Sequence, residues 1–379
     1  EGLVGIRLIK SFVRGDYEEM RFEKRNQQLK EANLTAMKTM ILYTPLMTLA
    51  LNITTVVVVW SGGNMIVAGN MQVGDLTAFT NYIVQIMSSL TMLSIAFLNW
   101  ARAIASFRRV GEVLDEKIDL TDENAKHKDR AVCEGSVEFQ NVSFRYYKNS
   151  PEWVIENISF KLEAGKTLGI IGSTGSGKST LVSMIPRLYD TDEGTVLVDG
   201  INVRDYGLKP LREGIGMVLQ NNTLFSGSII ENLKWGDEHA DEKAVRKAAQ
   251  NAQAAGFIDS FKDGYRTRLE QSGNNVSGGQ KQRLCIARAL LKCPKILILD
   301  DSTSAVDTAT ERAIREALHS EYKDMTKIII AQRIRSVMDA DEILVLDNGK
   351  TAGFGTHEQL LADCPVYREI YDVQNGREE

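Results

Sequence analysis

Two long uncharged runs dominate the N-terminal part of the chain, whereas short apolar runs alternate with mixed segments further along. No charged residue occurs between Thr39 and Gly74, and none between Leu76 and Ala101. A helix that crosses a bilayer needs about 20 apolar residues, so each run is long enough for one span. The pattern predicts two transmembrane helices, at about 39–67 and 76–101, joined by a short turn. The alternative, a buried hairpin of a large soluble protein, is disfavoured because paired runs of this length are rare in soluble cores.

The residues that flank the two runs predict their orientation. The flanking cations are Lys30, Lys38, Arg102, Arg108 and Arg109. The connecting turn has neither Lys nor Arg, so the positive-inside tendency places both ends of the hairpin in the cytosol. Pro45 is expected to kink the first helix. The run 61–63, Ser-Gly-Gly, either begins the turn or forms a small-residue packing site inside the helix.

A charged linker separates the predicted membrane part, residues 1–117, from a second domain. The linker covers 118–135 and the domain 136–379. Short apolar runs in this domain have the composition of buried strands: Thr167–Ile171, Gly194–Val198, Ile215–Leu219, Ile296–Leu299, Lys327–Ala331 and Glu342–Leu346. Because they alternate with helix-compatible segments, we predict an α/β domain with a mainly parallel sheet and some antiparallel strands near its start.

Composition and charge reduce the number of function classes that fit the chain. The chain has 379 residues and a formal net charge of -5, which argues against nucleic-acid binding. Its four cysteines form no C-x-x-C pair and fit a reducing cytosol. The chain begins at Glu1 without an initiator Met or a signal segment. We therefore expect a fragment of a longer protein, or a protein that has lost its N-terminal part.

The most specific motif lies between the run 167–171 and a helix-compatible stretch at 179–188. It matches G-x-x-x-x-G-K-[ST], in which glycines let backbone N–H groups surround phosphate oxygens. The predicted phosphate-binding residues are Gly172, Ser173, Thr174, Gly175, Ser176, Gly177, Lys178, Ser179 and Thr180. Lys178 can reach the β- and γ-phosphates, and the Ser179 hydroxyl can bind Mg²⁺. The motif predicts a nucleotide site for ATP and Mg²⁺.

Two further segments agree with this site. The buried-strand pattern 296–299 ends in Asp300, which beside a P-loop is typical of the Walker B carboxylate that holds Mg²⁺ through water. The sequence from Ser277 to Gln280, Ser-Gly-Gly-Gln, precedes a helix and can present backbone N–H groups to a phosphate from a second direction.

With these motifs the chain resembles, over nearly its whole length, an ATP-binding cassette (ABC) exporter whose membrane domain is fused to its nucleotide-binding domain. The family signature LSGGQ is matched by Ser277, Gly278, Gly279 and Gln280, with Val276 in place of Leu. The resemblance implies that Gln220 is the Q-loop residue near Mg²⁺. It also implies that Tyr146 stacks on adenine, with Tyr147 as a possible register alternative. Other family segments are the D-loop at 304–307, ending in Asp307, and 269–273, which contacts a partner's coupling helix. Because a full family subunit has six spans, the hairpin resembles the last two.

Two positions depart from the family pattern, and both concern the chemical step. The residue after Walker B is normally Glu, which orients the attacking water, but here it is Asp301. The switch residue is normally His, but here it is Gln332, which can donate a hydrogen bond but cannot carry a proton. We therefore expect a site that binds Mg-ATP and hydrolyses it slowly. The alternative is an ordinary active site with tolerated substitutions.

The resemblance implies a multi-pass protein of the cell membrane, with a cytoplasmic nucleotide-binding domain, that exports a hydrophobic or amphipathic compound. Family domains dimerise head to tail, so each ATP lies between one P-loop and the partner's signature. A weak P-loop site beside an intact signature favours a heterodimer with a second half-transporter, although a homodimer stays open. Two other functions also stay open, an ATP-gated regulatory or channel subunit and an ABC ATPase without transport.

Overall fold

The computed structural model describes residue 3, residues 5–301 and residues 306–376. Ser304 of the predicted D-loop and the side chain of Arg102 lie outside the described part. The chain divides into two compact units, Glu1–Lys117 and Ile118–Glu379.

The first unit is a helical hairpin. Its helices are α1 (Ile6–Ser11), α2 (Gly15–Val67) and α3 (Val73–Leu114). A reciprocal capping box starts α3, because the Gln72 backbone N–H donates to Asp75 Oδ2 at 3.1 Å. Among the described helices, α2 alone is long and apolar enough to cross a membrane by length and composition. The second span therefore stays a prediction.

Two sequence expectations fall within α2. The helix continues through Pro45, and the kink expected there stays a prediction. The glycines at 62 and 63 lie within it, so they do not begin the turn. A Cβ atom on Gly62 would come within 2.4 Å of Leu76 Cδ1, whereas one on Gly63 would meet nothing within 4 Å. Gly62 is thus the small residue that lets α2 approach α3 closely.

The second unit is an α/β domain. Its strands are β1 (Val137–Phe144), β2 (Ile155–Leu162), β3 (Thr167–Gly172), β4 (Glu193–Val198), β5 (Ile201–Asn202), β6 (Ile215–Val218), β7 (Gly227–Ser228), β8 (Arg268–Leu269), β9 (Ile296–Asp300), β10 (Thr326–Ile330), β11 (Glu342–Asp347) and β12 (Lys350–Gly355). Its helices are α4 (Lys178–Ser183), α5 (Leu208–Glu213), α6 (Ile229–Lys234), α7 (Glu242–Asn251), α8 (Ala255–Ser260), α9 (Gly278–Leu291), α10 (Thr308–Glu321), α11 (His357–Asp363) and α12 (Pro365–Asn375). Short 3₁₀ turns cover Val203–Asp205, Gly264–Arg266, Gln271–Gly273 and Ile334–Ser336.

Two sheets organise the strands of this domain. The main sheet has the order β12-β11-β3-β10-β9-β6, in which β12 alone pairs antiparallel. A second, antiparallel sheet has the order β2-β1-β4-β5. The α/β fold class predicted from the sequence is confirmed. The carboxyl ends of β3, β9 and β10 lie next to one another, because β10 pairs in parallel with both neighbours.

The central strand β9 explains why its sequence is apolar without alternation. Leu297 and Leu299 belong to one hydrophobic cluster, while Ile296 and Ile298 belong to the other. A parallel sheet that is covered on both faces buries every side chain of such a strand. The helix expected at 179–188 is shorter than its pattern suggested, because α4 ends at Ser183 and irregular turns that contain Pro186 follow.

Candidate nucleotide-binding site

The loop between β3 and α4 carries the predicted phosphate-binding residues. Gly177, the residue before α4, has φ +91°. A Cβ atom at this position would come within 2.6 Å of Ile155 Cγ2 and 2.9 Å of the Val154 carbonyl oxygen. Both the left-handed backbone and the close approach therefore require glycine.

The ammonium group of Lys178 donates hydrogen bonds back to the loop that carries it. Its Nζ donates to the carbonyl oxygens of Gly172 at 2.8 Å and Ser173 at 2.6 Å, and lies 3.3 Å from Ser176 Oγ. Burial lowers the pKa of Lys178, while the carboxylates of Asp301 and Asp300 act in the opposite direction. The ammonium group thus lies where a phosphate oxygen could replace loop carbonyls as its partner.

Asp300 and Ser179 meet across the carboxyl ends of β9 and β3. The Ser179 hydroxyl donates to Asp300 Oδ1 at 3.0 Å. Burial raises the pKa of Asp300, and the hydrogen bond from Ser179 partly offsets that effect. Two of the three side chains expected to hold Mg²⁺ are therefore direct neighbours.

Asp301 and Gln332 are joined side chain to side chain. Gln332 Nε2 donates to Asp301 Oδ2 at 2.8 Å. Asp301 has φ +45°, a left-handed conformation that is uncommon outside glycine. Burial raises the pKa of Asp301, whereas hydrogen bonds from the side chains of Gln220 and Gln332 lower it. The shortened carboxylate is thus restrained by amide donors on the side where the switch residue lies.

Two aromatic rings cluster around that of Tyr146, the residue predicted to stack on adenine. The Tyr146 hydroxyl is 2.9 Å from Thr180 Oγ1, and its ring meets those of Phe144 and Tyr189 edge to face, with centroids 5.1 and 5.3 Å away. Tyr147 is 80% exposed, against 50% for Tyr146. The geometry favours Tyr146 over the register alternative.

One cavity of about 200 Å³ collects most of the predicted residues. Its lining includes Thr174, Gly175, Ser176, Gly177, Lys178, Ser179, Thr180, Gln220, Asp300, Asp301 and Gln332.

The predicted signature residues lie elsewhere, at the start of α9. They are not among the described lining residues of the cavity: Ser277, Gly278, Gly279 and Gln280. Ser277 Oγ accepts from the Gln280 N–H there, in a capping box. Asp307 caps α10 by accepting from the Thr310 N–H at 3.0 Å.

The structure adds two residues that the sequence pattern did not single out. Tyr189 lies against Tyr146, and Gln374 in α12 donates to the Gln332 carbonyl oxygen at 2.7 Å. Tyr189 follows the P-loop helix by a few residues, and its aromatic type was the one available signal. Gln374 is a glutamine far along the chain, and nothing in its local pattern marks it.

Comparison with known proteins agrees with this site. The sequence profile of the ABC transporter transmembrane region matches residues 1–90, and that of the ABC transporter domain matches residues 155–304. YfiB of Bacillus subtilis, an uncharacterized ABC transporter ATP-binding protein, is 42% identical over 378 residues, which are 100% of this chain and 65% of YfiB. YgaD of the same organism, by its name a candidate multidrug export ATP-binding/permease protein, is 39% identical over 99% of this chain and 64% of its own.

A solved structure supports the same assignment. A bacterial Atm1-family ABC exporter with ATP bound aligns with 100% of this chain and 66% of its own, with a TM-score of 0.89 and 30% identity. Fold and site together define a P-loop nucleotide-binding domain of the ABC type, which implies ATP binding. The chain belongs to the ABC transporter family, as an exporter-type half-transporter with a helical membrane region before its nucleotide-binding domain. It spans about two thirds of the length of these relatives.

Proposed function

We propose that this chain is one half of an ATP-driven exporter that moves a hydrophobic or amphipathic compound across the cell membrane. The family membership, the name of YgaD and the uncharged runs of the hairpin support this reading. ATP binding closes two nucleotide-binding domains on each other, and hydrolysis reopens them. The acidic net charge of -5 argues against a nucleic-acid substrate.

The chain's own P-loop site, in this proposal, binds ATP and hydrolyses it slowly. The observation that carries the proposal is the hydrogen bond from Gln332 Nε2 to Asp301 Oδ2. Asp is one methylene shorter than Glu, so its carboxylate lies about 1.5 Å further from an attacking water, and a displacement of about 1 Å can cost roughly 100-fold in rate. Gln332 cannot accept or deliver a proton, so it offers no compensation.

Mg²⁺ fits the residues at this site. Ser179 Oγ and Asp300 Oδ1 are 3.0 Å apart, and Gln220 lines the same cavity. Hydroxyl, carboxylate and amide oxygens are the ligands that Mg²⁺ prefers, together with water and phosphate oxygens. In the described part of the chain no group of three or more His, Cys, Asp or Glu forms a metal site by itself. The ion would therefore depend on the nucleotide for its remaining ligands, and when bound it would neutralise phosphate charge.

The second half of the dimer is, in this proposal, a different half-transporter with Glu after Walker B and His at the switch. The start of α9 supports it, because the residues that match the signature lie at the N-terminus of this helix, where backbone N–H groups could be offered to a phosphate held by the partner. Two copies of this chain would instead have two slow sites. Activity of the chain on its own therefore separates the homodimer from the heterodimer.

Nucleotide trapping on the purified pair tests the proposal. Without hydrolysis, photoreactive azido-ATP should label both subunits. With vanadate, which traps the product of hydrolysis, label should concentrate on the partner. The double variant Asp301→Glu with Gln332→His should move trapped label onto this chain, provided that the partner's signature is intact. Equal vanadate trapping on both wild-type subunits would refute the slow site.

The membrane orientation is a separate proposal with its own test. The turn near Asn70 should face the outside and Arg108 the cytosol. Single cysteines at 70 and 108, in a variant lacking the four native cysteines, are treated in intact cells with a thiol reagent that does not cross membranes. Labelling at 70 only is expected. Labelling at 108 only would reverse the orientation.

A further inference from the structure

The backbone of the switch residue is held by one side chain of α12. Gln374 Nε2 donates to the carbonyl oxygen of Gln332 at 2.7 Å, and Gln374 Oε1 accepts from the backbone N–H of Ile334 at 2.8 Å. Both ends of a single primary amide thus bind backbone groups two residues apart. This geometry fixes a short segment of chain more tightly than one hydrogen bond could.

The segment that Gln374 binds lies just beyond the sheet. Strand β10 ends at Ile330, and the Ala331 N–H still donates to the Ile170 carbonyl oxygen at 3.2 Å. The next 3₁₀ turn begins at Ile334. Gln332 therefore lies between the last residue bonded to the sheet and the 3₁₀ turn. The two hydrogen bonds of Gln374 hold this short segment at Gln332 and at Ile334, and we call this pair of bonds the Gln374 bracket.

The side chain of Gln332 extends from this bracketed backbone into the nucleotide cavity. Its Nε2 reaches Asp301 Oδ2 at 2.8 Å, and the residue lines the cavity with Lys178 and Ser179. Gln374 holds the backbone carbonyl group of Gln332. If that backbone shifted, the side-chain amide of Gln332 would move with it. The position of the Gln332 amide against Asp301 is therefore linked to α12.

Helix α12 is anchored independently of Gln374. Tyr367 is fully buried, and its hydroxyl lies 2.7 Å from His357 Nδ1. Pro365 starts the helix, and Gly376 ends it with φ +71° and an N–H bond to the Asp372 carbonyl oxygen. A change at Gln374, whose side chain is exposed, therefore leaves the helix and its packing in place.

We propose that Gln374 is a positioning residue for the switch, one that sets the reach of the Gln332 amide toward the γ-phosphate. The proposal rests on the nucleotide site described above but not on slow hydrolysis. The expected consequence is that Gln374 affects how well the site distinguishes ATP from ADP. Loss of the bracket should weaken binding of ATP, which has a γ-phosphate, and leave binding of ADP unchanged.

Equilibrium binding to the full chain, purified without a partner, tests this selectivity. We expect Gln374→Ala to raise the Kd for ATP about three- to tenfold, the size of one lost hydrogen bond, with the Kd for ADP unchanged. Amide hydrogen exchange at Ile334 should become about tenfold faster as its acceptor is lost. Gln374→Glu keeps the acceptor for Ile334 but sets a carboxylate against the Gln332 carbonyl oxygen. It should therefore weaken ATP binding while Ile334 stays protected.

Gln359→Glu is the matched control. Gln359 Oε1 accepts from the Thr356 N–H at 3.0 Å in the cap of α11, and a carboxylate accepts that bond equally well. This variant should bind both nucleotides as the wild type does. An unchanged ratio of ATP to ADP affinity in Gln374→Ala, whether both affinities fall together or neither falls, would overturn the proposal. If the assignment of the nucleotide site were itself wrong, ATP would still bind to Lys178→Ala. That result is distinct from an unchanged ratio of ATP to ADP affinity.

Discussion

The two edges of the nucleotide cavity differ in how closely they follow the family pattern. On the P-loop edge, Lys178, Ser179 and Asp300 are the expected residues. Lys178 Nζ donates to two loop carbonyl oxygens at 2.6 and 2.8 Å, and the Ser179 hydroxyl donates to Asp300 at 3.0 Å. On the switch edge, Asp301 and Gln332 are both unusual, and they are bonded to each other. The residues predicted to hold a nucleotide thus match the family pattern, while the residues predicted to activate water depart from it. This difference is the basis of our proposal that the site binds ATP and hydrolyses it slowly.

The two edges also differ in what holds them. The P-loop is positioned by backbone geometry, with Gly177 in a conformation that other residues rarely adopt. The switch edge is positioned by side-chain amides, from Gln332 to Asp301 and from Gln374 to the Gln332 backbone. Single substitutions of Gln332 or Gln374 can therefore remove the contacts that hold the switch edge.

The largest effect is expected at the P-loop edge. Lys178→Ala removes the cation that is predicted to face the β- and γ-phosphates, and it should weaken ATP binding to the full chain roughly 100-fold or more. Labelled-ATP binding at equilibrium measures it. Lys209→Ala, which removes an exposed lysine paired with Glu213, is the control and should bind normally. Unchanged affinity in Lys178→Ala would mean that this edge does not bind the nucleotide.

The next effect is expected at the signature. Ser277→Ala should lower the steady-state ATPase rate of the pair roughly 10- to 100-fold, because it removes a donor to the partner's charged nucleotide. Ser228→Ala is closely matched, since Ser228 caps α6 in the same kind of capping box but carries no signature motif. Both variants lose a cap worth about 1 kcal/mol in folding stability. Equal ATPase rates in the two variants would show that the cap, and not the signature, is what Ser277 supplies.

A smaller effect is expected at the aromatic end of the cavity. Tyr146→Ala should raise the Kd for ATP about tenfold, the scale of one lost base–aromatic stack. Inorganic tripolyphosphate, which has no base, should bind as before. Tyr147→Ala is the adjacent control, because Tyr147 is 80% exposed. If Tyr147→Ala were the variant that weakened ATP binding, the register of the adenine contact would have to move by one residue.

Much of the fold followed from local pattern. The runs at 296–299 and 327–331 are apolar without alternation, and the structure pairs them in parallel as β9 and β10. The helix after the P-loop was expected to run to residue 188 but ends at Ser183, because a helix-compatible composition did not outweigh Pro186. The role of Gly62 could not be derived either, since it depends on Leu76 across the hairpin.

Likewise, only some residues of the candidate site could be predicted from the sequence. Lys178 and Asp300 were predicted from the spacing of their motifs, and Gln220 from the resemblance to the ABC family. The structure brings all three to one cavity. Gln374 could not be found from the sequence, because a hydrogen bond between residues 332 and 374 leaves no trace in either local segment. The bond between Asp301 and Gln332 was equally hidden, although both residues had been noted as unusual.

The smallest expected effect tests the account most directly. Asp301→Asn should change the steady-state ATPase rate of the purified pair less than about twofold, because in our proposal chemistry at this P-loop contributes little to turnover. Removal of the partner's catalytic Glu, measured beside it, should nearly abolish the rate. A large loss from Asp301→Asn would contradict the account, since Asp301 would then be a catalytic residue and the two edges of the cavity would not be functionally distinct.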